Sequence, residues 1–233
     1  MLLAACSAKP ETSQFVELML DPAKDDIRMV WKDSDGDRYD SFDAVTQDIS
    51  DQGHTVRFAM NGGMFTPDYV PLGLYMENGQ RLHKLNTHSG QGNFAIPPNG
   101  IFVLTRDHRA DIIKTQDYSP DPNIQYATQS GPMLVIDGKI NDAFHRRSAN
   151  LNVRNGVCVR ADGKVILSMS KQPISFYDFA AHFQHEGCEN ALYLDGAISQ
   201  ARLPEAGWSQ QTGDNLGTMI IVTTPTPAKT PHG

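Results

Sequence analysis

The sequence has no continuous run of about 18 apolar residues, which is the length that a membrane-spanning helix requires. It also has no block of Lys and Arg. Its 20 basic residues stand against 27 acidic ones, and the formal net charge of -7 argues against nucleic acid as a partner. The GxGxxG, GxSxG and HExxH motifs are missing, which excludes three common cofactor, serine-hydrolase and zinc patterns. We therefore expect no transmembrane span, no cofactor and no bound metal.

What the chain does have is enough apolar sequence for one folded domain. Of its 233 residues, 39% are hydrophobic, which suffices for a sizeable core. We expect this domain to span residues 13–222, after an N-terminal segment at residues 1–12. Residues 223–233, TTPTPAKTPHG, are rich in Thr and Pro and are expected to be disordered.

The first residues bear on where the protein resides. The segment LLAACS, residues 2 to 7, is similar to the lipobox that ends a bacterial lipoprotein signal. A complete signal also needs a basic segment and an apolar stretch of about 7 to 15 residues, and neither is present. We expect a truncated start, with chance similarity as the alternative. A lipid on Cys6 would anchor the protein at a membrane surface, and the expected location is the periplasm.

The other two cysteines, Cys158 and Cys188, allow two interpretations. In an oxidising compartment they could pair as a disulfide. Cys158 falls in a strand pattern and Cys188 lies just past a helix, so spacing alone does not place their Cβ atoms. We favour two small, buried apolar side chains, and the disulfide remains the alternative.

The pattern of apolar residues predicts strands joined by tight turns, with two helices. Asn78-Gly79, Asp137-Gly138 and Asp162-Gly163 each lie between apolar runs, which is typical of two-residue hairpins. Helical spacing and capping residues predict helices at about 42–52 and 176–186. The expected fold class is therefore α+β, a single domain of mostly antiparallel strands and hairpins with a few helices packed on the sheet.

The segment NALYLDGAIS, residues 190 to 199, contains the first candidate site residue. The short apolar strand ALYL stops at Asp195, and Gly196 follows, where the backbone can turn sharply or approach a ligand. Ser199 adds a hydroxyl nearby. Taken alone, an Asp-Gly pair is more often a simple turn.

Three further stretches share this form of a strand followed by a polar, Gly-rich turn. They are FAMNGGMF at 58–65, YATQSGPMLVIDGKI at 126–140 and VRNGVCVRADGKVILSMS at 153–170. With NALYLDGAIS they resemble the phosphodiester glycosidase domain family, which includes the lysosomal enzyme that removes N-acetylglucosamine from a phosphodiester. The likeness runs from about Phe58 to Val222. One departure is that Ala197 and Ile198 replace glycines of the LDGGGS pattern, which makes the floor of the site bulkier.

The resemblance implies a glycosidase of the bacterial envelope that cleaves a phosphodiester-linked or cell-wall sugar. Asp195 would be the nucleophile or general base beside the anomeric carbon, and Arg154 would hold phosphate. The resemblance also implies contacts to substrate from further residues: Asn61, Gly62, Ser130, Gly131, Asn155, Gly196 and Ser199. The turns after Asn61 and Ser130 would present backbone N–H groups to an anion. Although these positions are far apart in sequence, we expect them to converge on one cleft.

Weaker candidates and alternatives complete the analysis. Asn93 lies in a polar loop that could contact sugar hydroxyls, and Glu77 could be a second carboxylate, although a solvated turn is the simpler interpretation. His182 and His185 share a helix, but they fall off its apolar face. The partner is expected to be a carbohydrate or phosphoglycan. The alternatives are a muramidase-like enzyme acting on peptidoglycan and a non-catalytic glycan-binding lipoprotein.

Overall fold

The described chain folds into sixteen strands and two α-helices. A computed structural model describes residues 13–88, 92–195, 198–211, 213 and 215–226. The helices are α1 (Phe42–Asp51) and α2 (Phe176–His185). In chain order, the strands are β1 (Phe15–Leu20), β2 (Asp26–Val30), β3 (His54–Asn61), β4 (Tyr75–Glu77), β5 (Gln80–His83), β6 (Gly100–Thr105), β7 (Ala110–Lys114), β8 (Ile124–Ser130), β9 (Met133–Ile136), β10 (Lys139–Ile140), β11 (Asn155–Arg160), β12 (Val165–Ser170), β13 (Cys188–Tyr193), β14 (Ala201–Leu203), β15 (Trp208–Gln210) and β16 (Met219–Pro225).

These strands form three antiparallel sheets. The first has the order β1-β12-β11-β13-β9-β10, the second β15-β14-β3-β16-β2, and the third β5-β4-β8-β6-β7. Apolar side chains from all three sheets meet in one large buried cluster, which includes Phe58, Phe102 and Leu192. The α+β fold class is confirmed, and no helix among the described residues is long and apolar enough to cross a membrane.

Both helices form where spacing and capping predicted them. In α1, Ser41 Oγ accepts a hydrogen bond from the Ala44 N–H at 3.2 Å, and Gly53 follows the helix with φ of +80°. In α2, Ser175 Oγ accepts from the Asp178 N–H at 3.0 Å. Each helix buries its apolar face, α1 against the second sheet and α2 against the first.

Two of the three predicted turns have the expected backbone. Asn78-Gly79 and Asp137-Gly138 have positive φ at both residues, as a type I′ hairpin requires. The third turn differs, because among its two central residues only Gly163 has positive φ. The chain nevertheless reverses there, and β11 pairs antiparallel with β12.

The disordered tail was expected to begin at residue 223, and this boundary is wrong. Strand β16 continues through Pro225, and Thr223 is buried. Thr223 and Thr224 pair with Val56 and Thr55 of β3, so a Thr-rich sequence is ordered by its neighbour in the sheet. Residues 227–233 lie outside the described residues, as do residues 1–12 with Cys6.

The favoured interpretation of the two central cysteines is also wrong. Cys158 and Cys188 form a disulfide with a Cα–Cα distance of 5.8 Å. They lie on neighbouring strands β11 and β13, whose register shifts between Val159 and Arg160. That irregularity brings together two cysteines that are not partners in the ladder, and sequence spacing gives no sign of it.

Candidate active site

The candidate site lies where strands of the first and second sheets end side by side. Asn61 is the last residue of β3, Asn155 is the first of β11, and Asp195 comes two residues after β13. Asn61 and Asn155 have no exposed surface, and Asp195 is 7% exposed. A polar group in such a place needs partners within the protein.

Asn155 supplies the first set of partners. Its Oδ1 accepts a hydrogen bond from the Asp195 N–H at 3.1 Å. Its Nδ2 donates to the backbone oxygen of Asn61 at 2.8 Å and to Asn61 Oδ1 at 3.1 Å. One buried amide therefore joins the ends of β3 and β13 and fixes the main chain of Asp195.

Asn61 supplies the second set. Its Nδ2 donates to the backbone oxygen of Asp195 at 3.1 Å, while its Oδ1 accepts from the Gln200 N–H at 2.8 Å. The main chain of Asp195 is thus held on its N–H side by Asn155 and on its carbonyl side by Asn61. The backbone position of this carboxylate-bearing residue is set by side chains up to 134 residues away in sequence.

Two hydroxyls complete this frame. Ser199 Oγ lies 3.1 Å from the Asp195 backbone oxygen and 3.1 Å from that of Val153. Ser130 Oγ donates to the Leu194 backbone oxygen at 2.7 Å. Both predicted serines therefore lie at the cluster, where they bind main chain on either side of Asp195.

Arg154 takes a different position from the one expected of a phosphate clamp. It has no exposed surface, and each of its guanidinium nitrogens donates within the protein. Nε donates to the Ile174 backbone oxygen at 2.8 Å, Nη1 to Tyr193 Oη at 3.3 Å and Nη2 to the Asn150 backbone oxygen at 3.0 Å. In this conformation the side chain organises the wall of the site and does not face solvent.

The charge of Arg154 is buried without an ion-pair partner among the described residues. No carboxylate among the residues that the structure describes forms an ion pair with it, and burial lowers the pKa of its guanidinium. Its Cζ lies 3.7 Å from the centroid of the Phe176 ring, which supplies a cation–π contact. Arg154 therefore places a buried positive charge next to the site.

The Tyr193 hydroxyl is influenced by the charges of both Arg154 and Asp195. Burial, reinforced by the negative charge of Asp195, raises the pKa of Tyr193 to about 12, although Arg154 acts in the opposite direction. Asn93 also lowers the pKa of the Tyr193 hydroxyl, which places a predicted sugar-binding residue near this wall. The phenol is consequently neutral at physiological pH.

At the first glycine turn, two of the N–H groups expected to face an anion are used within the protein. The Asn61 N–H donates to the Gln200 backbone oxygen at 3.3 Å, and the Gly62 N–H donates to that of Thr218 at 2.7 Å. A Cβ added at Gly131 would lie 2.7 Å from Asn99 Cβ, so this glycine is required by close packing. Gly196 lies outside the described residues.

Some site residues were missed or misplaced by the sequence. Gln200 and Phe176 had no motif to mark them as site residues. Glu77 lines a cavity whose lining does not include Asp195. His182, which was placed off the apolar face of its helix, has its Nε2 2.9 Å from Glu17 Oε2.

The chain is similar to known proteins over most of its length. The sequence model of the phosphodiester glycosidase family matches residues 54–223. An uncharacterized protein of Escherichia coli (strain K12), YigE, is 38% identical over 195 residues, which cover 83% of this chain and 76% of YigE.

Solved structures share the fold at much lower identity. The catalytic domain of zebrafish N-acetylglucosamine-1-phosphodiester alpha-N-acetylglucosaminidase, auto-inhibited by its pro-peptide, matches with a TM-score of 0.60 at 13% identity, covering 91% of this chain and 84% of that one. A hypothetical protein from Synechocystis matches with a TM-score of 0.52 at 13% identity, over 90% of this chain and 59% of that one. At such identities the likeness concerns the fold alone.

Proposed function

This chain belongs to the phosphodiester glycosidase family, and from that premise we propose that it hydrolyses the bond between a sugar and the phosphate of a phosphodiester. The family implies glycosidase-type chemistry. The observation that carries the finer proposal is Asp195, a carboxylate-bearing residue at a strand end whose main chain is held by Asn61 and Asn155. Such a frame keeps a reactive group in place while substrate binds and leaves.

The chemistry requires a carboxylate close to the anomeric carbon. As the bond from that carbon to the phosphate oxygen breaks, positive charge develops on the sugar ring, and Asp195 stabilises it as nucleophile or as general base for water. The phosphate monoester departs as an anion with the bonding electron pair, so protonation of the leaving group is a minor requirement. This suits a site in which Tyr193 stays neutral and holds its proton tightly.

The departing phosphate also requires positive charge. Arg154 supplies this positive charge from within the wall of the site. Its guanidinium is buried there without a carboxylate partner among the described residues. A buried charge acts over a longer range than an exposed one because water screens it less. Arg154 therefore favours anionic substrates electrostatically while it holds the Tyr193 hydroxyl and Asn150 in position.

The same proposal includes an envelope location. The Cys158–Cys188 disulfide supports an oxidising compartment such as the periplasm, because cytosolic thiols are kept reduced. A lipid on Cys6 would hold the enzyme close to glycans of the cell envelope. Cell fractionation, followed by mass spectrometry of the N-terminal peptide, tests this part independently of activity.

A substrate panel tests the activity. The purified protein is incubated with the methyl diester of N-acetylglucosamine 1-phosphate, with p-nitrophenyl glycosides and with peptidoglycan, and released sugar is quantified. We expect sugar release from the phosphodiester with a kcat/KM at least about tenfold above that for the aryl glycosides.

The other functions give different results in the same panel. Turnover of peptidoglycan without turnover of the phosphodiester would identify the muramidase-like alternative. Binding of these glycans without release of sugar would identify a glycan-binding protein. Either result refutes the proposal.

A further inference from the structure

A cavity with a volume of 540 Å³ is lined by residues outside the Asp195 cluster. Its walls come from β2 and the segment after it, from the end of α1, from the β4–β5 turn and from β8. It shares no lining residue with the hydrogen-bonded frame around Asp195. A cavity of this size accommodates a small molecule.

The lining of this cavity contains more acidic than basic side chains. Its lining includes four carboxylates, Asp26, Asp33, Asp48 and Glu77, and two cations, Arg28 and Lys32. Arg28 is already paired, since its Nη2 lies 2.6 Å from Asp26 Oδ2. Lys32 Nζ lies 4.7 Å from the centroid of the Trp31 ring. The lining therefore carries an excess of negative charge that these cations do not neutralise.

Two of the carboxylates are satisfied by neutral donors of the protein. Asp33 Oδ1 accepts from the backbone N–H groups of Asp35 and Asp37 at 3.0 Å and 2.9 Å. Asp48 accepts a hydrogen bond from the Tyr39 hydroxyl and another from Gln52 Nε2. These groups have structural roles in a turn and at the end of α1.

Glu77 differs from the other carboxylates because the fold supplies no cation to pair with it among the described residues. It accepts from the Tyr75 hydroxyl at 3.1 Å, and the backbone of Trp31 acts to lower its pKa. No Lys, Arg or His among the described residues forms an ion pair with it. Burial raises the pKa of Glu77 to about 7. A carboxyl group left in this state is stabilised in its charged form by any cation that enters the cavity.

We propose that this cavity, which we call the Glu77 pocket, binds a small aliphatic amine whose ammonium group pairs with the Glu77 carboxylate. The excess of carboxylates favours a cation over an anion. Within the described part of the chain no cation pairs with Glu77, which leaves this place to the ligand. The Tyr126 hydroxyl donates to Asn78 Oδ1 at 2.8 Å, which places further polar groups at the same rim.

A metal ion fits the pocket less well than an ammonium group does. A divalent cation requires several oxygen ligands around one point, and the described carboxyl groups do not converge closely enough to hold one. An ammonium group requires only a few acceptors within hydrogen-bond reach. The geometry therefore selects an amine.

Putrescine is a suitable probe, and 1,4-butanediol is its neutral counterpart of the same length. Isothermal titration calorimetry at pH 8 on the intact protein is expected to show saturable binding of putrescine and none of butanediol. Glu77→Gln keeps an acceptor for Tyr75 and should weaken putrescine binding about tenfold or more. Glu189→Gln removes one negative charge from an exposed position outside the pocket and should leave binding unchanged.

The pH dependence adds a second readout. The other titratable groups at Glu77 are Asp26 and Arg28 from β2, Lys32, Asp33 and Tyr39 from the next segment, Asp48 from α1, Tyr75 from β4 and Tyr126 from β8. Because burial raises the pKa of Glu77 to about 7, affinity should rise about tenfold between pH 6 and pH 8 as this carboxyl ionises. Protons should be released on binding at pH 7.

Several outcomes would overturn the proposal. Equal binding of putrescine and butanediol would identify a site for neutral ligands, and saturable binding of Ca²⁺ in place of putrescine would identify a metal site. Unchanged affinity in Glu77→Gln, or no putrescine binding at all, would also refute it. Asp195→Asn should bind putrescine like the unmodified protein, so the result is independent of the proposed hydrolase activity.

Discussion

Asn61 Nδ2 donates a hydrogen bond to the backbone oxygen of Asp195 at 3.1 Å, across a sequence separation of 134 residues. With the bond from the Asp195 N–H to Asn155 Oδ1, it holds the main chain of Asp195 from both sides. Two asparagines from two different sheets thus act as a clamp on the proposed catalytic carboxylate. The catalytic proposal and the stability of this region therefore depend on the same hydrogen bonds.

Replacement of Asn155 by Ala tests the clamp. It leaves the Asp195 N–H and both oxygens of Asn61 without this partner in a buried place, which should lower the free energy of unfolding by about 3 kcal/mol. Urea denaturation measures the loss, and Gln116→Ala, at an exposed position, is the control. Activity of the folded fraction should fall as well. Unchanged stability and activity would show that the clamp is dispensable.

Arg154 is expected to affect both stability and substrate choice. Lys keeps the charge but has one nitrogen in place of the guanidinium fork, so Arg154→Lys should lower the free energy of unfolding by about 2 kcal/mol. Arg154→Met also removes the charge. On a phosphodiester, kcat/KM should fall further in Arg154→Met than in Arg154→Lys, and this difference should be smaller on an aryl glycoside.

The two substrate classes are compared under identical conditions, with unfolding followed in parallel. If both variants lose the same factor on the phosphodiester and on the aryl glycoside, Arg154 has only a structural role.

The disulfide should be a large contributor to stability. Cys158 and Cys188 are 30 residues apart, and closing a loop of that length stabilises a fold by about 3 to 4 kcal/mol. Dithiothreitol should lower the urea midpoint of the unmodified protein, whereas a double variant, Cys158→Ser with Cys188→Ser, should not respond. An unmodified protein that is insensitive to the reductant would argue against the bond.

The raised pKa of Glu77 predicts an unusual dependence of the protein's stability on pH. Its pKa rises from an ordinary 4.5 to about 7 on folding, so the native state binds this proton more tightly than the unfolded chain does. The resulting stabilisation is complete below about pH 4.5 and is lost as the pH rises through 7. Glu77→Gln does not titrate, and the unmodified protein should lose about 2 kcal/mol more than this variant between pH 5 and pH 8.

Chemical denaturation at the two pH values measures that difference. Glu189→Gln should follow the unmodified protein at both. Parallel behaviour of the unmodified protein and Glu77→Gln would mean that Glu77 titrates normally.

Much of the fold was predictable because its signals are local. The apolar stripe of α2, its Ser175 cap and the Asn78-Gly79 turn each specify structure within about ten residues, and the structure confirms them. The end of β16 was not predictable in this way. Its Thr and Pro composition indicates disorder, but pairing with β3 makes Thr223 part of the sheet.

The site shows the same division. The resemblance selected Asn61, Asn155 and Asp195, and the structure places them together, although their catalytic and binding roles stay predictions. The burial of Arg154 could not be inferred from the sequence. Two of its hydrogen-bond acceptors are backbone oxygens in the surrounding loops, those of Asn150 and Ile174. A sequence motif identifies a side chain, but it does not show which backbone carbonyls will surround it.

The most direct test of the central claim is the turnover of the methyl diester of N-acetylglucosamine 1-phosphate by Asp195→Asn. The amide preserves the shape of the side chain and removes the charge that the developing cation requires. We predict a loss in kcat/KM of about 10³-fold or more, with a free energy of unfolding within about 1 kcal/mol of the unmodified protein. A folded Asp195→Asn variant that retains full turnover would contradict the account.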